Sequence, residues 1–319
     1  MKLFQYAFCL AALMATASAQ ADTYPDRPIR MLLPFSAGGG GDILGRIIAE
    51  QFASQLGKPV VVENKPGAGG TIGIADVARA RPDGYTITIG GMTTHVLSPH
   101  VYTKIAYDPI KDFTSLGVIG SSSIVMIANK DFPASNLADV KSLNGSRKEP
   151  LQYASWGRGS TGHFCGEVLA QKMGIKLAHV PYKGTAQLVN DILGGHISVG
   201  FVDMVTATPY VQGGKVKALA VCTQRSPSLP DVASYKEQGV DFDRELNWAM
   251  YVPAGTPAPI VDKLSKTLEQ TLAQPAIQKK LLGLGITAKY VSGANHTKAM
   301  VADAKVWEDI AKQAGIEAQ

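Results

Sequence analysis

The 319-residue sequence predicts an α/β protein of two lobes, each a mainly parallel sheet flanked by helices, with crossing strands joining them. Three observations carry this reading. Short apolar runs alternate with helical spacing almost throughout, the pattern of βαβ units. Several strand ends carry glycines and small hydroxyls, and ligands of open α/β sheets bind outside the carboxyl ends of strands. Two apolar runs, LGVIG from Leu116 and then SIVMIANK, follow each other with only Ser121 to Ser123 between them, which reads as a crossover into a second lobe.

The chain opens with MKLFQYAFCLAALMATASAQA, in which Lys2 precedes an apolar run that ends in small residues. This predicts a signal peptide over residues 1–21, cut after Ala21 in preference to Ala19, because the strongly apolar part is too short for the ~20 residues of a membrane span. The mature protein is expected to be soluble and exported. Hydrophobic content of 45% is a globular value, and the net charge of +5 comes from scattered Lys and Arg. That distribution gives mild attraction for anions and excludes a nucleic-acid footprint. Cys165 and Cys222 remain after cleavage, either as a disulfide or as buried thiols.

The first strand, Ile29 to Pro34, runs into PFSAGGGGD and then into Ile43, Ile47, Ile48, Phe52 and Leu56 at helical spacing, stopped by Gly57. Glycines at a helix start let backbone approach a ligand and leave N–H groups unpaired at the positive end of a dipole. Phe35, Ser36, Ala37, Gly38, Gly39 and Gly40 are therefore expected to cradle an anion. PVVVEN, the turn KPGAGG and a helical TIGIADVARA make the next unit, adding Ala68, Gly69, Gly70 and Thr71. The strand YTITIGG brings a third end, Gly91 to His95, with Thr93.

Beyond the crossover come a helix near Asn136 to Leu143, strand LQYASW, loop GRGSTG with Ser160 and Thr161, a helix from His163, strand KLAHVPY and a helix from Thr185. Strand HISVGFVD then ends on Asp203, and a helix and strand VKALAVC follow. Asp203 either faces ligand across the cleft or caps the next helix. NWAMYVP reads as the return strand, and helices from Pro257 onward close the first lobe. The expected division is 22–122 with 223–319, and 123–222. Trp156 is placed at the mouth of the loop, with Trp248 and Trp307 in the core.

Other chemistries fit less well. Gly157, Gly159 and Gly162 match G-x-G-x-x-G, but KLAHVPYKG has no acid to hold a ribose. No G-x-S-x-G encloses a serine, and His163 with Glu167 lacks a second histidine for a metal. Asp42 and Arg46 make an ordinary i,i+4 pair. No catalytic residue, cofactor or metal is assigned.

The stretches YPDRPIRMLLPFSAGGGGD, KPVVVENKPGAGGTIG, RPDGYT, GSTGH, HVPYKG, LPDVASYKEQG and VPAGTPAPIVDKL occur in this order over nearly the whole chain after the leader. In this the sequence resembles the Bug receptors, extracytoplasmic solute-binding proteins of tripartite tricarboxylate transporters. The resemblance implies a type II periplasmic binding-protein fold without catalysis, a monomer that closes on a small carboxylated ligand, and membrane transporter subunits as partners. It also implies carboxylate loops at Phe35 to Gly40 and Ala68 to Thr71, with second-lobe contacts at Ser160, Thr161 and Asp203. The sequence departs from the pattern at the fourth glycine, Gly41, and at Phe164-Cys165. A ligand-sensing partner of a membrane signalling protein and an exported hydrolase are the alternatives.

Overall fold

A computed structural model describes residues 24–244 and 246–316. The expected signal peptide lies outside the described residues. Each sheet grows from strands whose apolar residues are buried on both faces, as in Ile29–Leu33 (β1), where Met31, Leu32 and Leu33 are fully enclosed. The helix Gly40–Leu56 follows and ends where Gly57 takes φ 68°, a left-handed position that favours glycine.

Val60–Asn64 (β2) and Thr86–Gly91 (β3) flank β1 in parallel. Phe113–Ser122 (β4) leaves this lobe, Ser123 turns the chain, and Ile124–Asn129 (β5) enters the other. There Leu151–Ser155 (β6), Leu177–Pro181 (β7), Val199–Asp203 (β8) and Val216–Val221 (β9) complete a five-stranded sheet in the order β7-β6-β8-β5-β9. Leu246–Pro253 (β10) returns, and Thr287–Ser292 (β11) makes the edge of a six-stranded sheet ordered β11-β4-β10-β3-β1-β2.

Both sheets are mixed, a correction to the mainly parallel expectation. β10 is antiparallel to β3 and β4, and β5 is antiparallel to β8 and β9. A chain that leaves and returns through one hinge lays its two crossing strands in opposite directions, and their neighbours inherit the mixture. The segment after Pro257 also differs from an all-helical reading. TAKYVS pairs antiparallel with β4, its β-branched and aromatic residues suiting an edge strand.

The stretch after β9 stays with the second sheet. Tyr235 N–H donates to Val221 O, Gln238 Nε2 to Leu219 O, and Tyr235 Oη to the carbonyl of Cys165. We therefore propose a division of 24–122 with 246–316, and 123–244, in place of a boundary at 223. The last helix, Gly293–Gln313, carries Trp307 into contact with Phe164 and Phe242 at ring separations of 5.7 and 6.2 Å. Trp307 is core, as expected, but it ties the C-terminal helix to the second lobe as well as the first.

Cys165 and Cys222 form a disulfide across 57 residues. It fastens the helix Thr161–Met173, which begins at the GRGSTG loop, to the end of β9 beside the hinge. Closing a loop of this length restricts the unfolded chain by about 4 kcal/mol in the chain-entropy model. Cys165→Ser with Cys222→Ser should lower the melting temperature, and reductant should lower that of the native protein similarly while leaving the variant's unchanged. Calorimetry with and without reductant checks this.

Candidate functional site

The three first-lobe strand ends meet the second lobe across a cleft of ≈ 740 Å³, counting its open mouth. Phe35, Ser36, Gly39, Gly40, Gly70, Thr93, Thr161 and Asp203 line it, whereas Ala37, Gly38, Ala68, Gly69, Thr71 and Ser160 do not. The glycine turn is closed by Gly39 N–H donating to Ser36 O at 3.1 Å, with Gly38 at φ 77°. Gly39 itself is extended at φ −81°, so its lack of a side chain answers to space and not to backbone strain.

That space belongs to the other lobe. A Cβ on Gly39 would fall 2.7 Å from Thr185 Oγ1, and one on Gly40 would fall 1.8 Å from Asp203 Oδ1. Gly41 serves a third purpose, since a Cβ there would lie 2.2 Å from the Phe35 ring. With nothing in the way, Gly40 N–H donates to Thr206 Oγ1 across the cleft at 3.0 Å. Helix starts carry unpaired N–H groups, and here one of them grips the opposite lobe.

Asp42 is buried below this turn and outside the cavity lining. Burial works against its charge, but hydrogen bonds from Arg46, Gly38 N–H and Asn64 outweigh that and lower its pKa below the ordinary carboxylate value. The pair is structural, and its acid fixes the glycine turn.

Gly67, Ala68, Gly69 and Gly70 all have positive φ, from 47° at Ala68 to 128° at Gly67. The turn lets Gly69 pack under the Arg158 carbonyl, 3.0 Å from where a Cβ would stand. Thr71 Oγ1 is spent on Ala68 O. At the third strand end a π-helical turn, Met92–Leu97, presents Thr93 Oγ1, which accepts from Thr161 N–H at 3.1 Å and donates to Thr161 Oγ1 at 3.3 Å. The lobes thus touch at three polar points, Gly40 with Thr206, Thr93 with Thr161, and Tyr102 Oη donating to the carbonyl of Arg158 at 2.8 Å.

Ser160 is the N-cap of its helix. Its Oγ accepts from His163 N–H and donates to Gly157 O, so it supports the loop from beneath and does not reach the cavity. Asp203 is the cap of its helix and also part of the cleft lining. It closes β8 and lines the cleft, while Oδ1 accepts from Thr206 N–H and Oδ2 from Thr206 Oγ1 at 2.9 Å each. Burial raises its pKa above the ordinary carboxylate value.

Trp248 corrects an expectation. It is half-buried, lines the cavity and meets Phe35 edge to face at 5.3 Å, because β10 alternates its side chains at the lobe junction and turns this one toward the cleft. Trp156 also lines the cleft, as placed, in room left by Gly162, whose Cβ would be 2.5 Å from the indole. Sequence reasoning missed Lys183, Gly184 and Thr185. They sit between a strand and a helix start, and the rule used for the other loops would have found them.

The hydrolase alternative finds a serine–histidine contact in the wrong place. Ser155 Oγ and His179 Nε2 are 2.7 Å apart, but Ser155 is fully buried and outside the cavity lining. Among the described residues no group of three His, Cys, Asp or Glu is arranged for a metal.

The profile of the tripartite tricarboxylate transporter family receptor matches residues 44–316. The chain belongs to this family. A UPF0065 protein of Bordetella pertussis is 33% identical over 279 residues, covering 87% of this chain and 86% of the relative. The structure of the periplasmic binding protein BugD superposes with a TM-score of 0.89 at 36% identity, covering 93% of this chain and 100% of that one. A Rhodopseudomonas palustris protein, MatC with bound malate, gives 0.85 at 30% identity over 90% of this chain and 99% of that one. The protein is thus a periplasmic-type solute-binding receptor, of a family that binds and does not catalyse.

Two histidines near the cleft make the receptor's stability depend on pH. Burial, reinforced by neighbouring cations or imidazoles, lowers His95 and His163 to about 3. The unfolded chain takes up these protons near pH 6.5 and the folded protein does not, so the stabilisation is complete above 6.5 and is lost as pH falls toward 3. Each should remove about 2 kcal/mol between pH 6.5 and 5. Urea titrations at the two values should show the loss, reduced in His95→Gln; equal midpoints would contradict it.

Proposed function

We propose that the cleft captures a small carboxylated organic molecule in the periplasm, that the lobes close on it by rotation about Ser123, and that the closed receptor delivers it to its membrane transporter. Phe35, Ser36, Gly39, Gly40, Gly70, Thr93, Thr161 and Asp203 are the contacts assigned to the ligand and to closure. One observation carries the reading: at the glycine turn the first lobe meets the second through backbone, with Gly39 and Gly40 where a side chain would hold the lobes apart. A clamp that must shut needs this, and a rigid two-domain protein does not. The glycine turn at a helix start is suited to a carboxylate, and relatives support that class, one solved with malate and another with adipate.

Gly40→Ala tests closure apart from folding. The residue lies in a helix and not at positive φ, so alanine suits the open form, whereas its Cβ collides with Asp203 in the closed one. The variant should melt within about 1 kcal/mol of the native protein. It should bind organic acids at least tenfold more weakly, about 1.4 kcal/mol. Small-angle scattering should show compaction on ligand addition for the native protein only. Undiminished affinity would contradict closure at this contact.

A further inference from the structure

Resting on that reading, we infer that this receptor's ligand is an aromatic monocarboxylate, a flat ring with one carboxylate, and not an aliphatic dicarboxylate. The cleft has an aromatic wall. Phe35 and Trp248 meet edge to face on the first-lobe side, and Trp156 lines the cavity from the second lobe. Met92, Ile124 and Leu246 fill the remaining apolar surface.

Two of these rings are held in place by absent side chains. Gly41 gives Phe35 its position against the helix start, and Gly162 does the same for Trp156. Aromatic faces pair with a ligand ring in offset or edge arrangements, each contact contributing about 0.5–1.5 kcal/mol beyond area burial.

The charged groups of the lining provide for one carboxylate. Lys183 is the single cationic side chain of the lining among the described residues, and it is exposed at the cavity. Its neighbour Gly184 packs on Ser36, 2.1 Å from Oγ to a built Cβ, so Lys183 stands beside the glycine turn. One pole of the cleft therefore combines a cation with a helix start.

Several of the other hydroxyls are committed elsewhere. Thr93 and Thr161 bond to each other, and Ser123 to Thr223. Asp203 presents acceptor oxygens, both taken up by Thr206, so a second carboxylate reaching it would meet acceptors and no donor. Against the wall of Phe35, Trp156, Trp248, Met92, Ile124 and Leu246 burying an unpaired carboxylate is costly.

Titration calorimetry of the purified full receptor with benzoate, phenylacetate, malate and adipate tests this. Benzoate or phenylacetate should bind at least tenfold more tightly than either dicarboxylate. Trp156→Ala and Trp248→Ala should each weaken the aromatic acid at least tenfold, and Trp156→Phe and Trp248→Phe should restore most of the loss, which separates a ring contact from a folding defect. Asp203→Asn keeps the cap and should narrow the gap by improving the dicarboxylates. Tighter binding of malate or adipate, or aromatic affinity untouched by both alanine variants, would overturn the ligand class while leaving a carboxylate receptor. Binding of none of the four acids by folded protein would overturn the carboxylate reading itself, and this inference with it.

Discussion

The contact between Gly40 N–H and Thr206 Oγ1 is the constraint around which the rest is arranged. For a backbone amide of one lobe to reach a side chain of the other, the intervening surface must carry no Cβ, which accounts for Gly39 and Gly40 together. It also explains the double duty of Asp203. By accepting from both the N–H and the hydroxyl of Thr206, Asp203 caps its helix and fixes the oxygen that Gly40 grips. A cap ordinarily contributes about 1 kcal/mol to its own helix. Here the same geometry sets the distance at which the lobes stop.

Each lobe must be rigid for such a stop to be reproducible, and different devices serve the two. In the first, Asp42 ties the glycine turn to β2 through Asn64 and to its own helix through Arg46. In the second, the disulfide joins the helix behind the GRGSTG loop to the strand that ends beside Thr223. Ser123 and Thr223 bond to each other at 2.5 Å, so the connection leaving one lobe and the end of β9 share a contact at the hinge. The histidines packed behind the loops stay neutral, and they add order without adding charge near an anion.

Much of this was legible in the residues because its causes are local. A run of glycines before a 3.6-residue repeat, a serine before a helix, and an acid at the end of an apolar strand each read directly as turn, cap and cleft. The motif order also gave the family and the two-lobed class. What was hidden depends on partners distant in sequence. Trp248 looks like core until β10 is placed at the junction, where its pairing with Phe35 becomes visible. The pairing of Cys165 with Cys222 needs the position of a helix against a strand end, and TAKYVS needs the edge of β4 to be a strand at all. The boundary we propose near residue 244, in place of 223, rests on the same kind of distant partner, since Tyr235 and Gln238 turn back onto the second sheet through hydrogen bonds. Ser160, chosen for its motif, proved to face the loop's interior.

Amide hydrogen exchange of Gly40, followed by NMR with and without a saturating carboxylic acid, tests the central claim most directly, because on the proposed closure this N–H gains its partner as the lobes shut. The account predicts rapid exchange in the free receptor and strong protection in the complex, with the buried amides of β1 protected equally in both. Equal exchange of Gly40 in the two states would contradict a clamp closed through this contact.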